Sequence, residues 1–425
     1  MYRQGTFVSY KKSMNLFAIR RERLIKDVTG DATLVLFSGN AINKSEDEAY
    51  PFDVNRNFYY LTGLENESMI LVVNKIDGNI SESLFILPFD ETLAKWVGGR
   101  MLASEATEIS GVGNVRDYSD FDDAIASILN RTRRNPDHKL YFDLWHYSAD
   151  QPLTPAIKYV NKLKETHPAV LIKDAYPLLA KKRLVKDDFE IACIKRAIEI
   201  TDVGVRKMMT SIKPGLNEMA IEGVFDFVLA QNVCNKTAFK SICASGKRAT
   251  ILHYSENNQT IEDGDLFQID LGATYKNYCA DISRSFPANG KFTERQKEIY
   301  EVVLQAQKLV EENAKPGVSL RSLNQLVVEF YRLELPKHGL TKDVSEYYFH
   351  SISHHLGLDT HDIDGGLGLV LEAGNVITNE PGLYIEDEGL GIRIEDDLLI
   401  TGTGCEVLSP QIPKTIEDIE NIMKG

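Results

Sequence analysis

Residues 265–286 read DLFQIDLGATYKNYCADISRSF, and the way this stretch folds decides what the rest of the chain can do. Asp270 closes an alternating apolar run, Leu266-Phe267-Gln268-Ile269, and Asp281 follows eleven residues later in a second strand-like run. Gly272 and Asn277 bound a short polar turn between them. Two strands joined in this way bring both carboxylates to one end of one sheet face.

A second stretch repeats the layout. Residues 374–400 read GNVITNEPGLYIEDEGLGIRIEDDLLI, where Glu380 follows Gly374 by six residues, as Asp270 follows Gly264. Glu395 lies in a further apolar strand, Gly391 to Ile400. The two stretches form a degenerate internal duplication, which places four carboxylates around a pseudo-twofold centre. Between them, residues 350–362 (HSISHHLGLDTHD) hold four of the nine histidines. Four carboxylates and an imidazole suit a pair of divalent cations, because their negative charge offsets two doubly charged ions. Oxygen-rich ligation favours Mn2+ or a similar ion over the thiolate settings of zinc and iron clusters. Two such metals sharing a water can activate it and polarise a carbonyl, which is the chemistry of amide hydrolysis.

The order Asp270, Asp281, His354, Glu380, Glu395 resembles the ligand set of the pita-bread metallopeptidases, the group holding aminopeptidase P, prolidase and methionine aminopeptidase. Flanking segments resemble aminopeptidase P in particular. They are 242–246 (ICASG) with Leu252-His253-Tyr254, 284–287 (RSFP), 380–384 (EPGLY) and 391–396 (GIRIED). The N-terminal run from Pro51-Phe52-Asp53 to residues 57–63 (NFYYLTG) resembles the amino-terminal domain of that subfamily, so the likeness spans nearly the whole chain. It implies an α/β (α+β) protein, with a creatinase-like α/β domain over 1–176 followed by a pita-bread catalytic domain over 187–425.

The resemblance also implies roles. Asp281 and Glu395 bridge the two metals, Asp270 binds one, and His354 and Glu380 bind the other, with Glu380 also taking a proton from the bridging water. His253 and His361 line the pocket and act on the substrate carbonyl or a proton, without binding metal. His350 contacts substrate beyond the proline. Arg393, two residues before Glu395 on one strand face, orients a ligand carboxylate, and Tyr384 serves similarly through its hydroxyl. Ser351 stands where the family commonly has glycine, and His355 where an aromatic or apolar residue is expected.

Length and composition set bounds. A chain of 425 residues suggests two domains, and 43% apolar with 26% charged residues is ordinary for a soluble globular protein. A net charge of -14 without clustered Lys and Arg argues against nucleic acid as partner. No apolar run is long enough to cross a bilayer, and residues 1–15 lack a signal-peptide core, so a cytoplasmic enzyme is expected. Five cysteines without CxxC spacing indicate neither a disulfide framework nor a thiolate site, and Cys243 and Cys279 read as small core residues.

Along the N-terminal half, helices are expected at 13–26, 121–130 and 155–165. Strands are expected at 32–37, 58–61, 69–73, 83–87 and 139–142. Glycines beside Trp96 suggest an exposed loop. The basic run 181–186 (KKRLVK) reads as a linker. A helix capped by Asp187 and Asp188 follows to about Ser211, then helices at 217–231, 294–313 (opened by Thr293) and 320–335.

The function expected is removal of an N-terminal residue preceding proline by two divalent ions, with Mn2+ the expected metal. Proline-containing peptides are the partners, and a homodimer or higher homo-oligomer is carried over from the family. The nearest alternative is prolidase, which acts on Xaa-Pro dipeptides. Prolidases tend to carry an arginine between Asp362 and Gly374, and this chain has no basic residue there. A methionine aminopeptidase usually lacks so large an N-terminal domain. A binding module that has lost its metals is a different class, as is metal-free hydrolysis of the creatinase type, and retention of all five ligands speaks against both.

Overall fold

The apolar runs of the N-terminal half pair into one six-stranded sheet. A computed structural model describes residues 10–133, 135–234, 236–363 and 369–424. Residues 1–9 and 364–368 lie outside the described residues, so the readings of the extreme N-terminus and of part of the Asp362–Gly374 segment are not addressed by it. The chain divides between Lys182 and Arg183 into two compact units.

In the first unit the strands are β1 (Ala32–Phe37), β2 (Ile70–Ile76), β3 (Asn79–Ile86), β4 (Val115–Asp117), β5 (Lys139–Phe142) and β6 (Leu171–Asp174). They are ordered β4-β3-β2-β1-β5-β6. β1 pairs antiparallel with β2 and parallel with β5, so the sheet is mixed. Helices Phe121–Thr132 and Pro155–Thr166 each present residues at helical spacing, Phe121, Ile125 and Ile128 in one and Ala156, Val160 and Leu163 in the other. These pack with Val35, Val72, Phe85 and Phe142 of the sheet into one buried core. Each of these side chains larger than alanine contributes about 1.5–3 kcal/mol on burial.

One expected strand is a helix. Phe58–Leu61 lies inside Arg56–Thr62, where the Asn55 side chain accepts from the Phe58 N–H and Gly63 closes the end in a left-handed conformation. Capping at both ends outweighs the β preference of the aromatic run. Trp96 is exposed as expected, at 83%, but on the helix Glu91–Val97 rather than a loop.

The second unit is built as two matching halves. Helices Asp188–Ser211 and Glu218–Gln231 precede β7 (Ile242–Ser245), β8 (Leu266–Leu271), β9 (Thr274–Tyr275), β10 (Tyr278–Cys279) and β11 (Ile282–Pro287). Helices Glu294–Asn313 and Leu320–Glu334 precede β12 (Val376–Asn379), β13 (Gly382–Ile385), β14 (Leu390–Arg393), β15 (Asp396–Ile400) and β16 (Cys405–Val407). The helices open on side-chain caps: Asp187 and Thr293 as expected, and also Asn217, which was expected as the first helical residue, and Ser319.

The repeat extends to single hydrogen bonds. Pro214-Gly215 and Pro316-Gly317 join the helices of each pair, and both glycines sit at φ 89°. The Gly215 N–H donates to Ile261 O (2.8 Å) and the Ile261 N–H to Leu216 O (2.9 Å). In the other half the Gly317 N–H donates to Leu371 O (3.0 Å) and the Leu371 N–H to Val318 O (2.8 Å). Gly264 and Gly374, six residues before Asp270 and Glu380, turn the chain at φ 87° and 92°. These left-handed positions favour glycine, so the spacing noticed in the sequence has a backbone cause.

Between β8 and β11 the chain makes a small hairpin. Lys276 and Asn277 both have positive φ, 49° and 63°, as a two-residue turn with the twist of its strands requires. A Cβ on Gly272 would lie 1.8 Å from Ala280 O, so the strands close at that point only around glycine.

Candidate metal centre

Each ligand candidate is placed by a strand end. β8 and β11 pair antiparallel with Asp270 opposite Ser283, and Asp281 stands immediately before β11. Glu380 immediately follows β12. Glu395 was expected within one continuous strand, but the chain breaks between β14 and β15 at Ile394-Glu395. There the Glu395 N–H donates to Ser283 O (3.0 Å) and the Ile394 N–H to Pro381 O (3.3 Å). The break ties the second half of the repeat to the first and puts Glu395 beside Asp281.

Asp281, His354 and Glu395 offer ligand atoms that all lie within 4.8 Å of one another. His354 Nε2 lies 3.5 Å from Asp281 Oδ2 and 3.5 Å from Glu380 Oε1. Its Nδ1 faces His355 O at 3.1 Å, which assigns the proton to Nδ1 and leaves the Nε2 lone pair pointing at the carboxylates. Asp270 joins through Arg393, whose Nη2 donates to Asp270 Oδ2 (2.7 Å), Nε to Ser283 Oγ (2.9 Å) and Nη1 to the Tyr384 hydroxyl (2.8 Å). Ser283 Oγ in turn donates to Glu395 Oε2 (2.7 Å). Thr378 Oγ1 donates to Glu380 Oε1 (3.2 Å).

This cluster fits divalent cations. Asp281 and Glu395 are almost fully buried, yet Asp270 Oδ1 and Asp281 Oδ1 have no hydrogen-bond partner among the described residues. Burial first, and the neighbouring acids second, push the Asp281 and Glu395 carboxyls well above their ordinary range. Burial raises Glu380 as well, opposed by His354 when that ring is protonated. Buried carboxylates that repel one another and keep free lone pairs are a donor set in need of positive charge.

The expected flanking residues are also near. His361 is exposed, and its ring meets that of His354 edge-on at 4.3 Å. Desolvation of the ring, which packs on His354, and then the charges of His354 and His253 lower the His361 pKa, and His253 is exposed as well. His350 Nδ1 faces Ser351 O at 2.8 Å, and Nε2 takes the Tyr384 hydroxyl at 3.0 Å. Burial and Arg393 bring its pKa down to about 3, so the ring is neutral. Sequence reasoning missed Ser283, Thr378 and Asp397. Asp397 is buried and accepts the Asp281 N–H at 3.2 Å. Each lies two residues from a named ligand, which is the strand period and the signal that could have found them.

Residues 192–402 match Metallopeptidase family M24, and residues 17–135 match Aminopeptidase P, N-terminal domain. The Xaa-Pro aminopeptidase of Escherichia coli strain K12 is 35% identical over 434 residues, covering 96% of this chain and 97% of that protein. The chain belongs to metallopeptidase family M24.

Human Xaa-Pro aminopeptidase 3 is 30% identical, over 96% of this chain and 85% of its own. Among solved structures, aminopeptidase P from E. coli with the inhibitor Pro-Leu superposes with a TM-score of 0.88 at 32% identity, covering 99% of each chain. The same enzyme has also been solved zinc-substituted in complex with product. These likenesses set the pita-bread architecture of the C-terminal half and, with the N-terminal match, place the chain among the aminopeptidases P of family M24. No helix among the described residues is long and apolar enough to cross a membrane.

Proposed function

We propose that this chain hydrolyses the bond between an N-terminal residue and a following proline in peptides longer than two residues, using two divalent ions, Mn2+ by preference. The observation that carries the reading is the convergence of Asp281, His354 and Glu395 with unpartnered carboxylate oxygens at the seam of the two halves. Asp270, Asp281, His354, Glu380 and Glu395 would hold the metals. When bound, the ions would acidify a water and polarise the scissile carbonyl.

The protein's own groups do the rest. Glu380, its proton affinity raised by burial, accepts the proton of the attacking water. Arg393 fixes Asp270 and, through Ser283, Glu395, so that both carboxylates keep one orientation. His253 and His361 face the open side and donate to the substrate carbonyl. The Xaa-Pro amide has no N–H, so recognition falls on the pyrrolidine ring and on the free amine, which sits near Asp270. His350 and Tyr384, joined by a hydrogen bond, form the wall beyond the proline. The domains act as 1–176 and 187–425, in a cytoplasmic homodimer or larger homo-oligomer.

The test is hydrolysis of an Xaa-Pro-Yaa tripeptide and of the matching Xaa-Pro dipeptide, after chelation and after Mn2+ is restored. Faster Mn2+-dependent cleavage of the tripeptide is expected. Preference for the dipeptide would make the enzyme a prolidase, and cleavage of neither would remove the reading.

A further inference from the structure

The basic run expected to be a linker is instead partly helical and partly buried. Its first residues end the helix Tyr176–Leu184, and Arg183 and Lys186 are 3% and 4% exposed. Both reach Asp362, itself buried, 176 and more residues away in sequence. Lys186 Nζ donates to Asp362 Oδ2 at 3.0 Å, and Arg183 Nη2 donates to Asp362 Oδ1 and, at 2.9 Å, to Asp359 Oδ2.

The chain around this cluster is built to receive it. A Cβ on Gly357 would meet Asp362 Oδ2 at 2.3 Å and Lys186 Cε at 3.0 Å, so the carboxylate and the ammonium occupy the space a side chain would fill. The Asp362 N–H donates to His355 O (2.9 Å), closing residues 355–362 into a loop. The Lys186 N–H donates to Gly374 O (2.8 Å), and Asn375 Nδ2 to Leu184 O (3.0 Å), which anchors the cations to the turn before β12. Next to Asp362 in the loop stands His361, exposed and with its ring against that of His354.

A buried ion pair is rarely the most stable way to fill a core, and its better-attested use is to fix one arrangement among several. We propose that Arg183 and Lys186, acting through Asp362, are positioning residues that hold the His361 imidazole over the metal centre. The inference rests on His361 facing the substrate. Both cations act on Asp362, and through it they set the closure of the loop that carries His361.

A double-mutant cycle tests this on the full-length, metal-loaded enzyme with an Xaa-Pro-Yaa tripeptide. Lys186→Met should lower kcat/KM by at least about tenfold, as a misplaced catalytic group would, while metal content stays at the wild-type value. In a His361→Ala background the same change should alter kcat/KM by no more than about twofold. Lys186→Arg, which keeps the cation, should recover most of the loss. An equal fall in both backgrounds, or wild-type kcat/KM in Lys186→Met, overturns the proposal. If Lys186→Met does not fold, Arg183→Lys is carried through the same cycle and read by the same criteria. Wild-type activity of His361→Ala alone would refute the substrate-facing reading of His361, which is a separate failure from an additive cycle.

Discussion

Arg284→Met tests how the floor of the metal centre is held. Arg284 is fully buried on β11, one residue after Ser283, and all five of its N–H donors are engaged. Nε donates to Pro413 O (2.8 Å), Nη1 to Ser283 O (2.9 Å) and Glu395 O (2.5 Å), and Nη2 to Asp396 Oδ1 (2.7 Å) and Ile412 O (3.2 Å). Methionine keeps much of the stem's volume and removes every donor. Ser283 O retains the Glu395 N–H, and Asp396 retains Ser409 Oγ and Lys414 Nζ, each at 2.7 Å. The carbonyls of Glu395, Ile412 and Pro413 lose their arginine. Leaving a buried acceptor unpaired costs about 1–3 kcal/mol, so three of them bracket the roughly 3–5 kcal/mol typical of breaking a buried ion pair. The residual pairing of Asp396 argues for the middle of that range, about 4 kcal/mol. With a urea m-value of about 3 kcal/mol/M, the unfolding midpoint of the metal-stripped chain, followed by far-UV circular dichroism, should fall by more than about 1 M. Arg284→Lys should lie between, because an ammonium keeps the charge and cannot span five acceptors. A midpoint within about 0.3 M of wild type for Arg284→Met would refute the reasoning.

Three further outcomes are expected. Glu380→Ala should lower turnover by about 100-fold or more and reduce bound metal after dialysis; wild-type values of both would remove Glu380 from the site. His253→Ala should lower turnover on the order of 100-fold with metal content unchanged, and loss of metal would make it a ligand instead. Burial would raise the Asp362 carboxyl, but Arg183 and Lys186 outweigh it and hold the pKa well below the usual carboxylate range. The unfolded chain binds that proton at a pKa of about 3.9, so the stabilisation is complete above that value and is lost as pH falls toward the lower folded value. Acid titration should therefore show Lys186→Met losing less stability than wild type below about pH 4, and parallel acid curves would contradict the pairing.

What could be read from sequence was whatever the backbone dictates locally. The alternating run before Asp270, the glycines six residues ahead of Asp270 and Glu380, and the caps Asp187 and Thr293 are short-range features, and the strands and helices they predict are present. Phe58–Leu61 misled because aromatic content outweighed, on paper, a cap at Asn55 and a left-handed Gly63 that decide the matter in three dimensions. The break at Ile394-Glu395 was hidden inside an unbroken apolar run, since it is imposed by acceptors on Ser283 and Pro381, distant in sequence.

Charge was the least legible property, for a physical reason. A run such as KKRLVK carries the same pattern whether its cations are solvated or buried, and only the approach of Asp362 distinguishes the two. The same holds at the metal centre, where Arg393 meets Asp270 across 123 residues and Arg284 meets Asp396 across 112. Arg183, Lys186 and Arg284 are partnered by acids that stand beside a functional residue in sequence, Asp362 beside His361 and Asp396 beside Glu395, whereas Arg393 pairs with the ligand candidate Asp270 itself. Period two along a strand alternates its faces, so an acid adjacent to a ligand points away from the ligand's side and is free to anchor the backbone from behind. Asp396 does so: Glu395 faces Ser283 Oγ while Asp396 takes Arg284, Ser409 and Lys414 on the other side. An acidic pair in such a sequence thus divides its labour, one carboxylate for the chemistry and one for the arginine that holds the strand still.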